Sequence, residues 1–265
     1  MISAIFFDID DTLIARRNTR VSDEDVMAIK ACHDKGIRII ISTGRGYYAM
    51  QQDIKDRIPS DYLITVNGAC INNHDGTVMK SYPMSLTNTE GLIKDLLERD
   101  ITFGFKFDDS LQVYNHYEDF TDRYCSPAVP VSMIDDNTST KDYHLTHGLP
   151  LAIFIFADGK CGDLREKYPE MVFVDAPRDA SMCEGFNKEV NKGATIRYLT
   201  SRLDIPLSEC MAFGDGINDL EMIQMCGIGI AMGNAVEKVK QDADYITDTV
   251  LNSGIAKALK HFELI

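Results

Sequence analysis

Three carboxylates, Asp8, Asp10 and Asp11, follow directly on a short apolar run, Ala4-Ile-Phe-Phe7. The run is rich in β-formers and reads as a buried strand. Acids this close resist joint ionisation, because each raises the cost of charging its neighbour. Such a cluster persists if a cation neutralises it or if it points into solvent. It is either a divalent-metal site with an acid to spare or an acidic turn after a strand. Three further stretches bear on the choice. Ser42-Thr43-Gly44-Arg45 offers hydroxyls and a guanidinium, Asn191-Lys192-Gly193 an amine, and Gly214-Asp215-Gly216-Ile217-Asn218-Asp219 two more acids and an amide.

Together these residue types suit phosphoryl transfer. Asp8 supplies a carboxylate nucleophile able to form an aspartyl-phosphate. Asp10 lies two residues on, so strand alternation returns it to the same side. There it can protonate a leaving oxygen and then activate water. Mg2+ takes oxygen ligands and is held by one or two carboxylates plus a substrate phosphate; Asp8 and Asp215 provide such carboxylates. The Thr43 hydroxyl and the Lys192 amine can bind phosphoryl oxygens. Taken singly, Thr43 reads as a helix cap, Lys192 as a surface lysine and Gly214-Asp215-Gly216 as a tight turn. The order of all four stretches at the ends of strands or the starts of helices is what favours a site.

The elements that must position them alternate. Ser22 caps an amphipathic helix carrying Val26 and Ile29, with Gly36 as its stop. Ile37–Ile41 is a second buried strand, and the Ser-Thr-Gly that follows opens a helix near Tyr47–Arg57, whose N-terminus suits an anion. Tyr62–Val66 is a third strand. Strand, helix, strand, helix, strand predicts a parallel sheet with right-handed crossovers. Asp75-Gly76 marks a hairpin within Ile71–Met79. From Pro83 to Gly185 the alternation turns irregular: a helix over Leu86–Arg99, extended runs at Ile101–Phe107 and Leu111–Tyr114, a polar stretch from Asp135 to Thr140, a strand at Leu151–Phe156, a helix over Gly162–Tyr168 and strands near Met171–Val174 and Ser181–Phe186. The first pattern then resumes, with helices from Asn191 and from the Gly214–Asp219 turn. The fold class is α/β: a Rossmann-like parallel-sheet core over residues 1–82 and 186–265, with an α+β domain inserted over 83–185. Ligands of such sheets bind at the carboxyl ends of the strands, on one edge.

Phe7-Asp8-Ile9-Asp10-Asp11-Thr12-Leu13, Ser42-Thr43-Gly44-Arg45, Asn191-Lys192-Gly193 and Gly214–Asp219 resemble, in order, the four motifs of haloacid dehalogenase-type phosphatases, and more narrowly those of the Cof-type branch. The resemblance spans the whole chain, because the insert has the size and mixed character of that branch's cap. It implies Asp8 as nucleophile and Asp10 as general acid/base. It implies Mg2+ held by Asp8, the Asp10 backbone carbonyl and Asp215, with Asp219 supporting that shell. Thr43, Lys192 and Asn218 would contact phosphate, with Gly44 and Arg45 beside them; Arg45 reaches substrate or pairs with a carboxylate. Two positions depart from the pattern: Asp11 stands where glycine is commonest, and Gly216 where a small or polar residue is frequent. On this reading the protein is a Mg2+-dependent phosphatase of small phosphorylated metabolites, and the cap excludes water and selects the substrate. The motifs also admit a phosphomutase, a phospho-accepting module or a sugar-phosphate sensor.

Composition narrows the partners. The 265 residues carry a formal net charge of −14 and no long basic run, which argues against nucleic acid and against anionic membranes. Seven scattered cysteines without a Cys-x-x-Cys suggest reduced thiols and a cytoplasmic setting. No signal peptide is expected, since Asp8 interrupts any leading apolar region, and no apolar run approaches membrane-spanning length. Gly227-Ile-Gly229-Ile-Ala-Met-Gly233 has the wrong spacing for a dinucleotide loop and reads as packing glycines. His144 and His147 read as surface histidines. Oligomeric state is left open by the sequence.

Overall fold

A computed structural model describes residues 1–15, 18–126, 129–157, 161–176 and 179–265. They fall into two compact units: one of residues 1–45, 50–79 and 191–265, the other of residues 46–49 and 80–190.

In chain order the first unit begins with β1 (Ala4–Phe7), α1 (Asp23–Asp34), β2 (Arg38–Ser42), α2 (Gln52–Arg57), β3 (Tyr62–Thr65), β4 (Cys70–Asn73) and β5 (Val78–Ser81). The insert follows: α3 (Leu86–Glu98), β6 (Thr102–Lys106), β7 (Leu111–Asn115), α4 (Tyr117–Tyr124), β8 (Asp135–Asp136), α5 (Tyr143–Thr146), β9 (Ala152–Phe156), α6 (Gly162–Lys167), β10 (Met171–Ala176) and β11 (Asp179–Asn187). The chain closes with α7 (Lys192–Arg202), β12 (Cys210–Gly214), α8 (Leu220–Met225), β13 (Ile228–Ala231), α9 (Glu237–Asp242), β14 (Tyr245–Ile246) and α10 (Gly254–His261).

The larger sheet runs β14-β13-β12-β1-β2-β3-β4-β5. It is parallel from β14 to β3 and turns antiparallel at β4. β1 lies at its centre, and all four of its residues are buried. Parallel strands covered on both faces read as continuous apolar runs, which is why Ala4–Phe7 and Ile39–Ile41 look alike. One face, with Ala4, Phe6, Ile40, Ile64 and Ala212, packs under Ile196 and Leu199 of α7, Met222 and Ile223 of α8 and Val239 of α9. Fully burying a side chain such as Phe6 or Ile40 contributes about 1.5–3 kcal/mol. The register sets Phe7 level with Ile41 and Phe213. Asp8, Ser42 and Gly214 therefore leave the sheet side by side.

The insert is a six-stranded sheet, β10-β11-β9-β6-β7-β8. α3 and α6 cover one face through Leu92, Leu96 and Leu164 against Phe103, Phe105, Ile153 and Ile155. α4 covers the other, with Phe120 against Leu111, Val113, Phe154 and Phe156. Lys106 and Glu184 form an ion pair of 2.6 Å, with Lys106 only 4% exposed. His144 is buried rather than at the surface, its ring 3.0 Å from the Tyr114 hydroxyl. The helix expected from Tyr47 does not begin there: Tyr47–Ala49 is a single 3-10 turn, grouped with the insert, and α2 starts at Gln52. None of the described helices is long and apolar enough to cross a membrane.

α10 starts without a side-chain cap of its own, at Ser253 in a left-handed conformation (φ 52°). The cap comes from α1 instead. Asp25, fully buried, accepts from the Ala256 N–H at 2.8 Å while the Ser22 hydroxyl donates to its other oxygen at 2.8 Å. Asp25→Ala strands both donors, and is expected to lower unfolding free energy by about 1–3 kcal/mol. Asp25→Asn, which keeps an acceptor, should cost less. Urea unfolding followed by circular dichroism measures both.

Candidate active site

The acid cluster is assembled by backbone register and fastened by one ammonium. Asp8 continues β1, its N–H donating to Phe213 O at 3.1 Å. Lys192 enters on the first turn of α7, which Asn191 caps by accepting from the Ala194 N–H at 2.6 Å. Gly68 lets α7 approach: its φ is +103°, and a Cβ there would sit 2.6 Å from Asn191 O. Thr195 locks the contact by donating to Gly68 O at 2.7 Å. The Lys192 Nζ then donates to Asp8 Oδ1 at 2.8 Å, to Asp219 Oδ1 at 2.6 Å and to the Ser42 carbonyl at 2.9 Å. All three hydrogens of a fully charged ammonium are satisfied, at a side chain 1% exposed.

Asp219 is spoken for on both oxygens. Its Oδ2 accepts from the N–H groups of Asp215 and Gly216 at 3.1 and 3.0 Å. It shapes the turn that presents Asp215. Gly214 makes room for this, since a Cβ there would lie 2.5 Å from Asp219 Cβ. One oxygen from each of Asp8, Asp215 and Asp219 lies within 4.8 Å of the others. Thr12, fully buried, donates to Asp215 Oδ1 at 3.3 Å.

Charge is unbalanced here. Burial, then the Asp219 carboxylate, pushes the Asp8 carboxyl well above the usual carboxylate range, although Lys192 pulls the other way. Burial alone would lower Lys192, but Asp219 and Asp8 outweigh it and hold the ammonium above its ordinary range. One ammonium therefore does not neutralise the acids. An all-oxygen donor set with surplus negative charge fits a hard divalent cation. Asp8 and Asp215 are the pair best suited to hold it, because Asp219 is engaged by Lys192 and two backbone N–H groups.

The other expected residues divide. Asp10 is clasped by Arg45, Nε to Oδ2 at 2.8 Å and Nη2 to Oδ1 at 2.7 Å. Of the two roles open to Arg45, this is the pairing with a carboxylate. Thr43 is buried beside Ser42, but on a loop rather than a helix start. Its hydroxyl accepts from the Arg45 N–H at 3.1 Å, and its backbone bonds Ile64 and Asn67. Those bonds to β3 and to the loop after it replace the helical ones. Gly44 lies against Asn67, whose Oδ1 is 3.0 Å from where a Cβ would be, and Asn218 donates to that same oxygen at 3.4 Å. Asp11 takes φ 61°, a left-handed conformation that glycine enters freely and aspartate tolerates.

Three contributors escape a side-chain reading. The Ser42 carbonyl is backbone and carries no sequence signal. Thr12 continues the two-residue spacing of Asp8 and Asp10, a pattern that could have marked it. Asn234 donates to Asp11 O at 2.7 Å and accepts from the Val250 N–H at 2.9 Å, bracing the loop after β1 from 223 residues away.

A family profile of haloacid dehalogenase-like hydrolases matches residues 5–259. The chain is 28% identical to the 5-amino-6-(5-phospho-D-ribitylamino)uracil phosphatase of Bacillus subtilis, over 99% of this chain and 96% of the relative. It is 29% identical to the HMP-PP phosphatase of Yersinia pseudotuberculosis, over 97% and 93%. A HAD-superfamily phosphatase from Bacteroides thetaiotaomicron superposes with a TM-score of 0.83 at 28% identity, covering 100% of this chain and 96% of that one. A sugar phosphatase of HAD subclass IIB superposes with a TM-score of 0.82 at 26% identity, over 99% and 100%. The chain is thus an enzyme of the phosphoric monoester hydrolase class. It belongs to the haloacid dehalogenase-like hydrolase family, in the Cof-type branch that its four motifs resemble.

Removing the ammonium tests the charge argument. Lys192→Met leaves buried acids unpaired and is expected to cost about 3–5 kcal/mol of stability at neutral pH. The Asp8 carboxyl, already high, then rises further. A carboxyl that holds its proton to higher pH when folded than when unfolded makes stability fall as pH rises through that window. The deficit of the variant should therefore shrink on acidification from pH 7 to pH 5, as read by denaturant unfolding at each pH.

Proposed function

We propose that the chain is a Mg2+-dependent phosphomonoesterase that transfers the phosphoryl group of a small phosphorylated metabolite to Asp8 and then to water. The observation that carries this is Asp8 itself: a buried carboxylate at the end of the central strand, pinned by Lys192 beside Asp215. Pinning removes rotamer freedom from the attacking oxygen and fixes its direction. Asp8 attacks phosphorus, an Asp8–phosphate bond forms and the bond to the leaving oxygen breaks. Asp10 gives that oxygen its proton. Asp10, now a carboxylate, takes a proton from water, whose oxygen attacks phosphorus and breaks the Asp8–phosphate bond. Inorganic phosphate leaves and both acids return to their starting state. When bound by Asp8 and Asp215, Mg2+ would offset the surplus negative charge that otherwise repels a phosphate. Lys192 and the Thr43 hydroxyl would bind phosphoryl oxygens there, and Asn218 would extend that set. Asp219 acts through Lys192 and the turn that carries Asp215.

The clasp on Asp10 sets a condition. A carboxylate with both oxygens on a guanidinium is the charged, acceptor-only form. To deliver a proton, Asp10 must let go of Arg45 and first take one up from solvent. Substrate chemistry is suggested by the relatives, which are named for a phosphoribityl compound, for HMP-PP and for sugar phosphates. A phosphate carried on a small polar molecule is common to the first and the last.

Release of inorganic phosphate from an aryl phosphate, with and without Mg2+, tests the proposal. Activity is expected to require the metal and to vanish on its removal by chelation. Asp8→Asn should reduce turnover to background, and Asp10→Asn by about 10²–10⁴-fold. Metal-independent release that survives Asp8→Asn would sink the reading. A panel of phosphorylated sugars, ribityl compounds, nucleotides, FMN and pyridoxal phosphate then ranks substrates by kcat/KM.

A further inference from the structure

The inserted unit holds a second set of nucleophilic side chains, remote in sequence from every motif above. Cys161, at the start of α6, is 5% exposed, and Cys183, on β11, is 2% exposed. Both nevertheless line one cavity of about 120 Å3, together with Arg165, Asp175 and Ser181. A single water needs roughly 10–15 Å3 measured this way, so a small peroxide has room to enter.

The two thiols are in contact and unequal. Hydrogen bonding with Cys183, with help from the Arg165 charge and against burial, draws the Cys161 thiol below its ordinary range, and the Cys183 S–H also has the Glu184 carbonyl oxygen as an acceptor at 4.0 Å. The same bonding between the thiols, then burial, pushes Cys183 far up. Arg165 is fixed in place, donating to Phe173 O at 3.2 Å and to Asp175 Oδ1 at 2.7 Å. A metal site is the competing use of two thiols. Among the described residues, however, the only group of three ligand side chains close enough to share an ion is Asp8, Asp215 and Asp219. Two unequal thiols on one cavity, the one at Cys161 the more readily ionised, with no third ligand among the described residues, is the arrangement of an attacking and a resolving cysteine.

We propose that Cys161 and Cys183 form an oxidisable thiol pair that reacts with hydroperoxides entering this cavity. The Cys161 sulfur attacks one peroxide oxygen and the O–O bond breaks. The departing oxygen takes up a proton, leaving Cys161 as a sulfenic acid. The Cys183 sulfur then attacks Cys161, forming the S–S bond and breaking the S–O bond. The hydroxide leaves with the Cys183 proton as water. Two thiols lose two electrons in all, and one peroxide gains them. The product staples the start of α6 to β11 and is restored by a dithiol reductant.

The full-length protein is treated with hydrogen peroxide, alkylated, digested and analysed by mass spectrometry. The expected result is a linked Cys161–Cys183 peptide that dithiothreitol abolishes. Cys161 should be consumed roughly tenfold faster than the partly exposed Cys125. In Cys183→Ser, dimedone should trap the sulfenic acid on Cys161. Equal consumption of Cys161 and Cys125 in the wild-type protein overturns the proposal, whether or not the variants fold. So does a dominant link between Cys210 and Cys226, a second neighbouring thiol pair. A dimedone adduct on Cys183 of Cys161→Ser, with none on Cys161 of Cys183→Ser, overturns it too.

Discussion

The Lys192 ammonium is the contact on which the rest of the site depends. It joins three pieces of chain that are otherwise far apart in sequence: the end of β1 through Asp8, the end of β2 through the Ser42 carbonyl, and the start of α8 through Asp219. Each of its hydrogens is used, so displacing any partner leaves a buried charge short of a bond. Buried ion pairs bring little net stability, because desolvation cancels most of the attraction. What this one contributes is position. Asp8 Oδ1 is held, and the Asp215 turn is held through Asp219, by the same nitrogen.

That arrangement works because the sheet does the coarse placement. β1 pairs in parallel with both β2 and β12, so three chain reversals emerge at one level. Side chains then need only the last few ångströms of adjustment. Small residues supply it: Gly68 lets α7 come close, and Gly214 admits Asp219 under the turn. The apolar strands and the acids at their ends form one device. The core is stiff enough to keep like charges together, and the charge is what makes the end of the core chemically useful.

The sheet and the acids were legible in sequence, for different reasons. A strand buried on both faces writes itself as an apolar run, and β1, β2, β9 and β12 all do so. Asp8 and Asp215 stood out because charge at such a run's end is costly unless used, and Lys192 only through its place in the order of the four stretches. α4 was missed. Only Phe120 and Thr121 of its eight residues are buried, and His116 before it takes φ 53° with no side-chain cap, so neither periodicity nor a start signal marks it. α9 is short and has Val239 as its single buried residue. The helix read after Thr43 failed for a tertiary reason: backbone groups of Thr43 and Arg45 bond the loop after β3, and local capping signals cannot compete with bonds to another strand's end. The fate of Arg45 was beyond local reading too, since its partner lies 35 residues earlier.

The pairing of Arg45 with Asp10 completes the electrostatic logic. A bidentate guanidinium neutralises Asp10 without drawing on Lys192, so the two acids of the first motif are handled by different cations. Asp8 shares its ammonium with Asp219, and Asp215 stands beside them. With all three carboxylates ionised, that single ammonium would leave a surplus of about two negative charges, which is the charge a divalent cation carries. A monovalent cation would leave the site still negative, and a phosphate dianion approaching Asp8 would meet repulsion. A second lysine could have balanced the acids permanently, but it would have closed the carboxylate oxygens in hydrogen bonds, as Lys192 and two N–H groups already close those of Asp219. Leaving the deficit open makes the attraction for a divalent ion a property of the folded charge distribution rather than of any one residue.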